Sequence, residues 1–588
     1  MFKVHKIKIL FFTIISFIGT LASGQNSYLI DAHVNLESQT LIVSQTLIFK
    51  NPSNKELRKI YLSDWANSYE GTESQLVKHL ANQFNRSFYL SSKNKLGFTN
   101  IKQLIIDNGQ LEWSRMKGQL DLIEVVLEKP LKTGNKLKLN LNYEIKIPDD
   151  KFTGYGINSN NRIFFRDFFI SLNPFINNKW LLQSNLGLRD NSNINSNYLI
   201  NWTYPENYNL VSNLYQIKTL KSSKNGYKST QWKGDSVSSP EFIFDNENKF
   251  QKISLEDNFT IVTDIIPNKN SEVELKESLR QIYNFTNSLL SPLEHKKVLI
   301  LKKDYSKNPL VGITEALSFL NPFSDSFIYE TKFIKAYLAT YLHELLNIDK
   351  RKNHWIPGGI QTYVMMKYVK SFYPNNKFLG ALKDFKVLGI RPFNSYSAAQ
   401  IGFNESFSFI YEFGEHANTQ QSDTLERGKL TKSNELYFSP YHVGSGLYYL
   451  DQYLGGDLLD ESLLKFSFNK GLTPLQETLS SKTSKKIDWF FNEYLSDREA
   501  FDLYIKNVVK NKDSISVIIS EKKSHAVPFK LDLIKDDSII KEKWIYHPGK
   551  DTIINFKKED LDFIAINSNR FLPEKNRPNN WKNLKSST

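Results

Sequence analysis

Residues 336–368, AYLATYLHELLNIDKRKNHWIPGGIQTYVMMKY, place His343 and Glu344 near the end of one apolar helical stretch and Trp355 at the start of another. Two histidines one turn apart leave the same face of a helix and meet one metal ion, and a glutamate after the first is placed to take a proton from metal-bound water. Here His343 and Glu344 are present, but Asn347 stands where the second histidine belongs. The stretch therefore carries half of a metal-binding helix. The chain has no cysteine, so no thiolate supplies the missing donor.

Beyond that helix, Trp355, Gly359, Thr362 and Tyr363 align with a W-x-N-E-G-x-A-T-Y stretch, and the chain resembles the aminopeptidase N family of gluzincin zinc metallopeptidases, as an exported bacterial member with a degenerate zinc site. In that family the glutamate of the second stretch is the third zinc ligand; Gly358 stands there. Gly312-Ile313-Thr314-Glu315-Ala316 is similar to the G-x-M-E-N strand, which implies substrate binding at Gly312 and Glu315, with Glu315 holding a peptide's free amino terminus. Pro440-Tyr441-His442-Val443-Gly444 is similar to the Y-x-K-G segment. The resemblance makes Glu344 the general base and Tyr441 the oxyanion donor, and makes His343 the surviving metal ligand. Ala316 and Val443 replace an asparagine and a lysine of the family pattern.

With Asn347 and Gly358 at two ligand positions, the donor set is poor for zinc, which takes three protein ligands in a catalytic site. The expectation is a protein without a cofactor. The alternative is an active zinc-dependent aminopeptidase whose rebuilt site recruits His354 or His442; otherwise those two read as surface histidines. No Gly-x-Ser-x-Gly segment points to a serine nucleophile instead.

The chain opens MFKVHKIKILFFTIISFIGTLASG, a basic start, an apolar run and small residues, which predicts a signal peptide over 1–24 and a soluble periplasmic or secreted protein. Net charge is +14 over 588 residues, with Lys3, Lys6 and Lys8 in the leader. That balance favours an anionic envelope surface or acidic partner. Nucleic acid is not expected, because the lysines are scattered without a basic helix or an aromatic RNA-binding signature. Without cysteines, stability rests on buried cores.

Texture changes twice along the chain. Alternating runs over 25–260 predict an amino-terminal antiparallel β saddle domain with one helical insertion around 74–89. Mixed patterns over 261–500 predict a thermolysin-like α/β peptidase domain, with helices over 272–290, 333–346, 447–454 and 488–495, a strand over 298–302 and a polar, mobile loop over 421–433. Strands at 515–520, 529–533, 552–556 and 563–567 predict a small β-sandwich over 501–588. The fold class is multidomain α+β. The function expected from all this is non-catalytic binding or scaffolding, with the amino terminus of a peptide or protein as partner; nothing in the sequence specifies the oligomeric state.

Overall fold

The computed structural model describes residues 26–584, apart from 107–108, 177, 223, 248, 267–271, 304–322, 381–400, 466–472, 497–499 and 537. The predicted leader, Gly312 and Glu315 lie outside the described residues.

The first half is built from strands whose side chains alternate between core and solvent. In Ser27–Asn35, Tyr28, Ile30, Ala32 and Val34 all point inward. Edge to edge, the largest sheet runs Tyr215–Leu220, Tyr227–Val237, Ser196–Pro205, Ser27–Asn35, Thr40–Lys50, Lys136–Lys146, Phe98–Ile106 and Gly109–Gln110. It is not antiparallel throughout. Ser27–Asn35 pairs antiparallel with Thr40–Lys50 but parallel with Ser196–Pro205, a strand that a long crossover delivers in the same direction. Trp202 lies at the centre of this half, stacked on Phe165 at 5.9 Å and edge-on to Phe244 at 5.0 Å. The predicted insertion is helix α1 (Gln75–Asn82), whose N-cap Ser74 hydroxyl accepts the Val77 N–H at 3.2 Å.

The second half is helical: α2 (Glu272–Leu289), α3 (Asp325–Leu345), α4 (Trp355–Phe372), α5 (Glu405–His416), α6 (Ser439–Leu454), α7 (Leu458–Lys465) and α8 (Thr473–Lys482). Ser324 caps α3, and Phe327, Phe333, Tyr337 and Tyr341 bury it on several sides. Helix α6 starts earlier than its apolar pattern suggests, because a π-turn over Asn434–Phe438 leads straight into it. Trp489–Tyr494 is likewise a π-turn.

Helices α4 and α6 meet on glycines. A Cβ on Gly359 would lie 2.3 Å from Val443 Cγ1, and one on Gly444 would lie 2.3 Å from Thr362 Cβ. Only glycine permits this approach.

Two carboxy-terminal sheets, one of Leu503–Lys510, Ser514–Glu521 and Thr552–Lys557 and one of Ser538–Pro548, Ala526–Lys535, Phe563–Ile566 and Trp581–Asn583, pack onto the helices. The Tyr449 hydroxyl of α6 lies 2.9 Å from Pro528 O and 2.8 Å from Asn567 Oδ1, and a continuous apolar core runs from Ile253 to Leu584. A second core runs from Tyr28 to Phe244. No helix among the described residues is long and apolar enough to cross a membrane.

Candidate functional site

The seam between the two cores holds the residues of interest. After α3 ends at Leu345, the chain turns through Asp349, Lys350 and Arg351 and is clasped by the β-rich half. Gln183 donates to Asp349 Oδ1 at 2.8 Å, and Arg351 reaches the fully buried Asp190 carboxylate at 2.7 Å. The Lys350 N–H donates to Ser192 Oγ at 3.0 Å. Charged side chains thus fasten this turn where apolar packing stops.

Beside it lies a cavity of about 200 Å³, many times the roughly 10–15 Å³ that one water needs. His343 from α3, together with Gly358 and Gln361 from α4, lines one side. Arg189, Lys350, Arg427 and Lys432 bring cations to the lining, against the single carboxylate of Glu435.

That carboxylate is already engaged. Arg427 Nε and Nη2 donate to Glu435 Oε1 at 3.1 and 2.9 Å, and Lys432 Nζ donates to Oε2 at 2.7 Å. Burial alone would raise the Glu435 carboxyl, but Arg427 and Lys432 outweigh it and hold it down at about 2.

His343 is buried, and no hydrogen bond to its ring is found among the described residues. Burial, then the charges of Lys350, Arg189, Arg166 and Arg427, hold its pKa well below the usual imidazole range. The ring is neutral at neutral pH.

The predicted partners of His343 are dispersed. Glu344 does not line the cavity; its Oε2 accepts the Ser238 N–H at 3.0 Å, tying α3 to the β-rich half. Burial raises the Glu344 carboxyl, opposed by the Ser238 contacts and the Lys350 ammonium. Asn347 lies past the end of α3, so it is not one helical turn along from His343, and its Oδ1 is buried without a hydrogen bond. Gly358 does line the cavity, and Pro440 Cγ sits 3.1 Å from where its Cβ would be. Tyr441 is buried away from the cavity, edge-on to Phe407 at 4.8 Å.

His354 and His442 are buried, not surface residues. His442 is sandwiched between Tyr411 and Tyr494, at 4.3 and 4.1 Å, with Nδ1 2.7 Å from Asp423 Oδ2. It therefore holds the fold together and does not reach His343's cavity. His354 does line that cavity, and its Nε2 donates to Leu425 O at 2.9 Å.

Asp423, Leu425 and Arg427 make the 421–433 segment an anchored part of the site instead of a mobile loop. Asp423 bonds the buried His442, and the Arg189 carbonyl accepts from Arg427 Nη1 at 3.0 Å. Sequence reasoning missed Arg189, Lys350, Arg427, Lys432 and Glu435. The run Asp349-Lys350-Arg351-Lys352 directly after the His343 helix was the available signal.

The described residues around this cavity do not fit zinc. Among the described residues no group of three or more histidine or carboxylate side chains is placed to hold a metal. The donor chemistry runs the other way: two imidazoles, His343 and His354, share the cavity with four cationic side chains, a lining that repels a divalent cation.

No family model matches the chain, and no curated protein matches it. In fold it is similar to the Legionella pneumophila aminopeptidase A seen in complex with aspartic acid, with a TM-score of 0.61 at 9% identity over 94% of this chain. This chain spans about 60% of the length of that protein. It is also similar to a Deinococcus radiodurans M1 zinc metallopeptidase mutant bound to a Tyr-Ser-Ala substrate, with a TM-score of 0.50 at 12% identity, covering 81% of this chain and 94% of the other. At such identities the likeness is one of fold: a multidomain mixed α/β architecture with many sheets, shared with an aminopeptidase and a zinc metallopeptidase.

Proposed function

We propose that this chain is an exported protein that uses a metallopeptidase fold to bind peptides without hydrolysing them. The observation that carries the reading is the third-ligand position. Pro440 crowds Gly358 while His343 faces Lys350, Arg189 and Arg427, so the geometry offers neither a donor set nor a favourable field for a metal-activated water. The two proteins of similar fold carry aspartic acid and Tyr-Ser-Ala, which supports peptide-like ligands for a cleft of this architecture. Glu315 is the residue proposed to receive the amino terminus. Glu344 and Tyr441 serve packing and hydrogen bonding on this reading.

One observation favours the second reading, an active zinc aminopeptidase: His354 lines the same cavity as His343. Incubating the purified protein with a defined mixture of short peptides and following it by mass spectrometry separates the two. Peptides recovered bound and intact support the binding protein. Release of amino-terminal residues that a chelator stops would overturn it in favour of a rebuilt site.

A further inference from the structure

The cavity beside His343 contains a buried cation that the protein itself leaves short of partners. Lys350 is only 4% exposed, and an ammonium has three donors to satisfy. Among the described residues its Nζ makes one hydrogen bond, a long one of 3.4 Å to Asn191 O, and no ion pair. The carboxylates that act on it from further off are engaged elsewhere: Glu344 with the Ser238 N–H, Asp167 with the Ser239 hydroxyl at 2.7 Å, and Asp190 with Arg351. Burial lowers the Lys350 pKa to about 8, so at neutral pH it still carries its proton.

A buried ammonium with unused donors is costly unless something completes it. Lys350 lines a cavity with ample room. The remaining charges agree in sign: Arg189, Arg427 and Lys432 add to the positive field, and the one opposing carboxylate, Glu435, is taken up by Arg427 and Lys432. The lining also has an apolar wall, with Ala339, Leu342, Leu346 and Leu436 in it, beside the polar His343, His354 and Gln361. An inorganic anion would use the charge and leave this wall idle. A hydrated cation would meet an opposing field.

We propose that the cavity is a binding site for an organic carboxylate, its anionic end on Lys350 and its apolar body against Leu342, Leu346 and Leu436. A free aliphatic carboxylate and the carboxyl end of a short peptide share this chemistry. Only the second source rests on the peptide-binding reading above.

The test is calorimetric titration of the purified chain with N-acetyl-leucine, its neutral amide, inorganic phosphate, and an N-acetylated tripeptide with a free carboxyl end. The acid is expected to bind at least tenfold tighter than the amide and than phosphate. Binding of the tripeptide more tightly than the single residue assigns the site to peptide ends; the reverse assigns it to free carboxylates. Lys350→Met is expected to weaken the acid by tenfold or more and leave the amide unchanged, with circular dichroism confirming the fold. The acid-against-amide comparison needs no variant, so it decides the matter even where Lys350→Met misfolds. Equal binding of acid and amide, or no binding of either acid at millimolar concentration, overturns the proposal. Peptides that bind through a free amino terminus while the acetylated acids do not would overturn the carboxylate site and leave the peptide-binding reading standing.

Discussion

Replacing Gly359 with alanine tests how the third-ligand position came to be closed. In an exposed helix this change is favourable by about 1 kcal/mol, because glycine is a poor helix former. Here the new Cβ would lie 2.3 Å from Val443 Cγ1 and 2.8 Å from Val443 Cβ, where ordinary contact begins at 3.4 Å. Val443 is β-branched and stiff at χ1, so its side chain has little freedom to retreat. Helices α4 and α6 must therefore separate, and overpacking of this kind costs roughly 1–3 kcal/mol or more. Set against the propensity gain, Gly359→Ala is expected to destabilise by up to about 2 kcal/mol. The same separation would lift Pro440 from Gly358. Urea unfolding followed by tryptophan fluorescence and circular dichroism reads the change. Val443→Ala removes the nearest atom, so the double variant should be less destabilised than the two single costs added together, by about 1 kcal/mol of coupling. A Gly359→Ala protein more stable than the wild type, or strict additivity in the cycle, would refute the packing argument.

Three further outcomes are expected. Asp423→Ala strands the sandwiched His442 ring, and a loss of about 2–3 kcal/mol in thermal or chemical unfolding is predicted with no change in metal content. Glu344→Ala leaves the Ser238 N–H without its acceptor and costs about 1–3 kcal/mol, whereas Glu344→Gln keeps an acceptor and stays close to wild type; equal losses would contradict the anchoring role. Burial lifts the Glu574 carboxyl from its ordinary 4.5 to about 7, against the pull of Arg577 and Asn567. An acid raised on folding adds stability that is fully present below 4.5 and is lost as pH rises through about 7. Across that window the loss is roughly 3 kcal/mol, and Glu574→Gln should flatten it in unfolding curves measured at several pH values.

How much of this was legible beforehand depended on which signal carried it. Strand alternation such as Tyr28, Ile30, Ala32, Val34 and the apolar runs of α2 and α3 announced those elements, because burial imposes their periods directly. The parallel pairing of Ser27–Asn35 with Ser196–Pro205 leaves no local mark; it is fixed by where a distant strand returns. That His343 and Gly358 belong to one site was an expectation from the resemblance alone; both line the same cavity. The orientation of Glu344 toward Ser238 and the end of α3 before Asn347 were not legible, since both depend on tertiary contacts with the β-rich half. The cationic lining was hidden for the same reason: Arg189, Lys350 and Arg427 come from three distant segments, each of which reads as an ordinary charged loop.

That the cavity beside His343 is not a metal site is tested most directly by elemental analysis of purified protein, with His343→Ala alongside. Zinc near zero per chain in both proteins is the predicted result; near-stoichiometric zinc that disappears in the His343→Ala protein would contradict it.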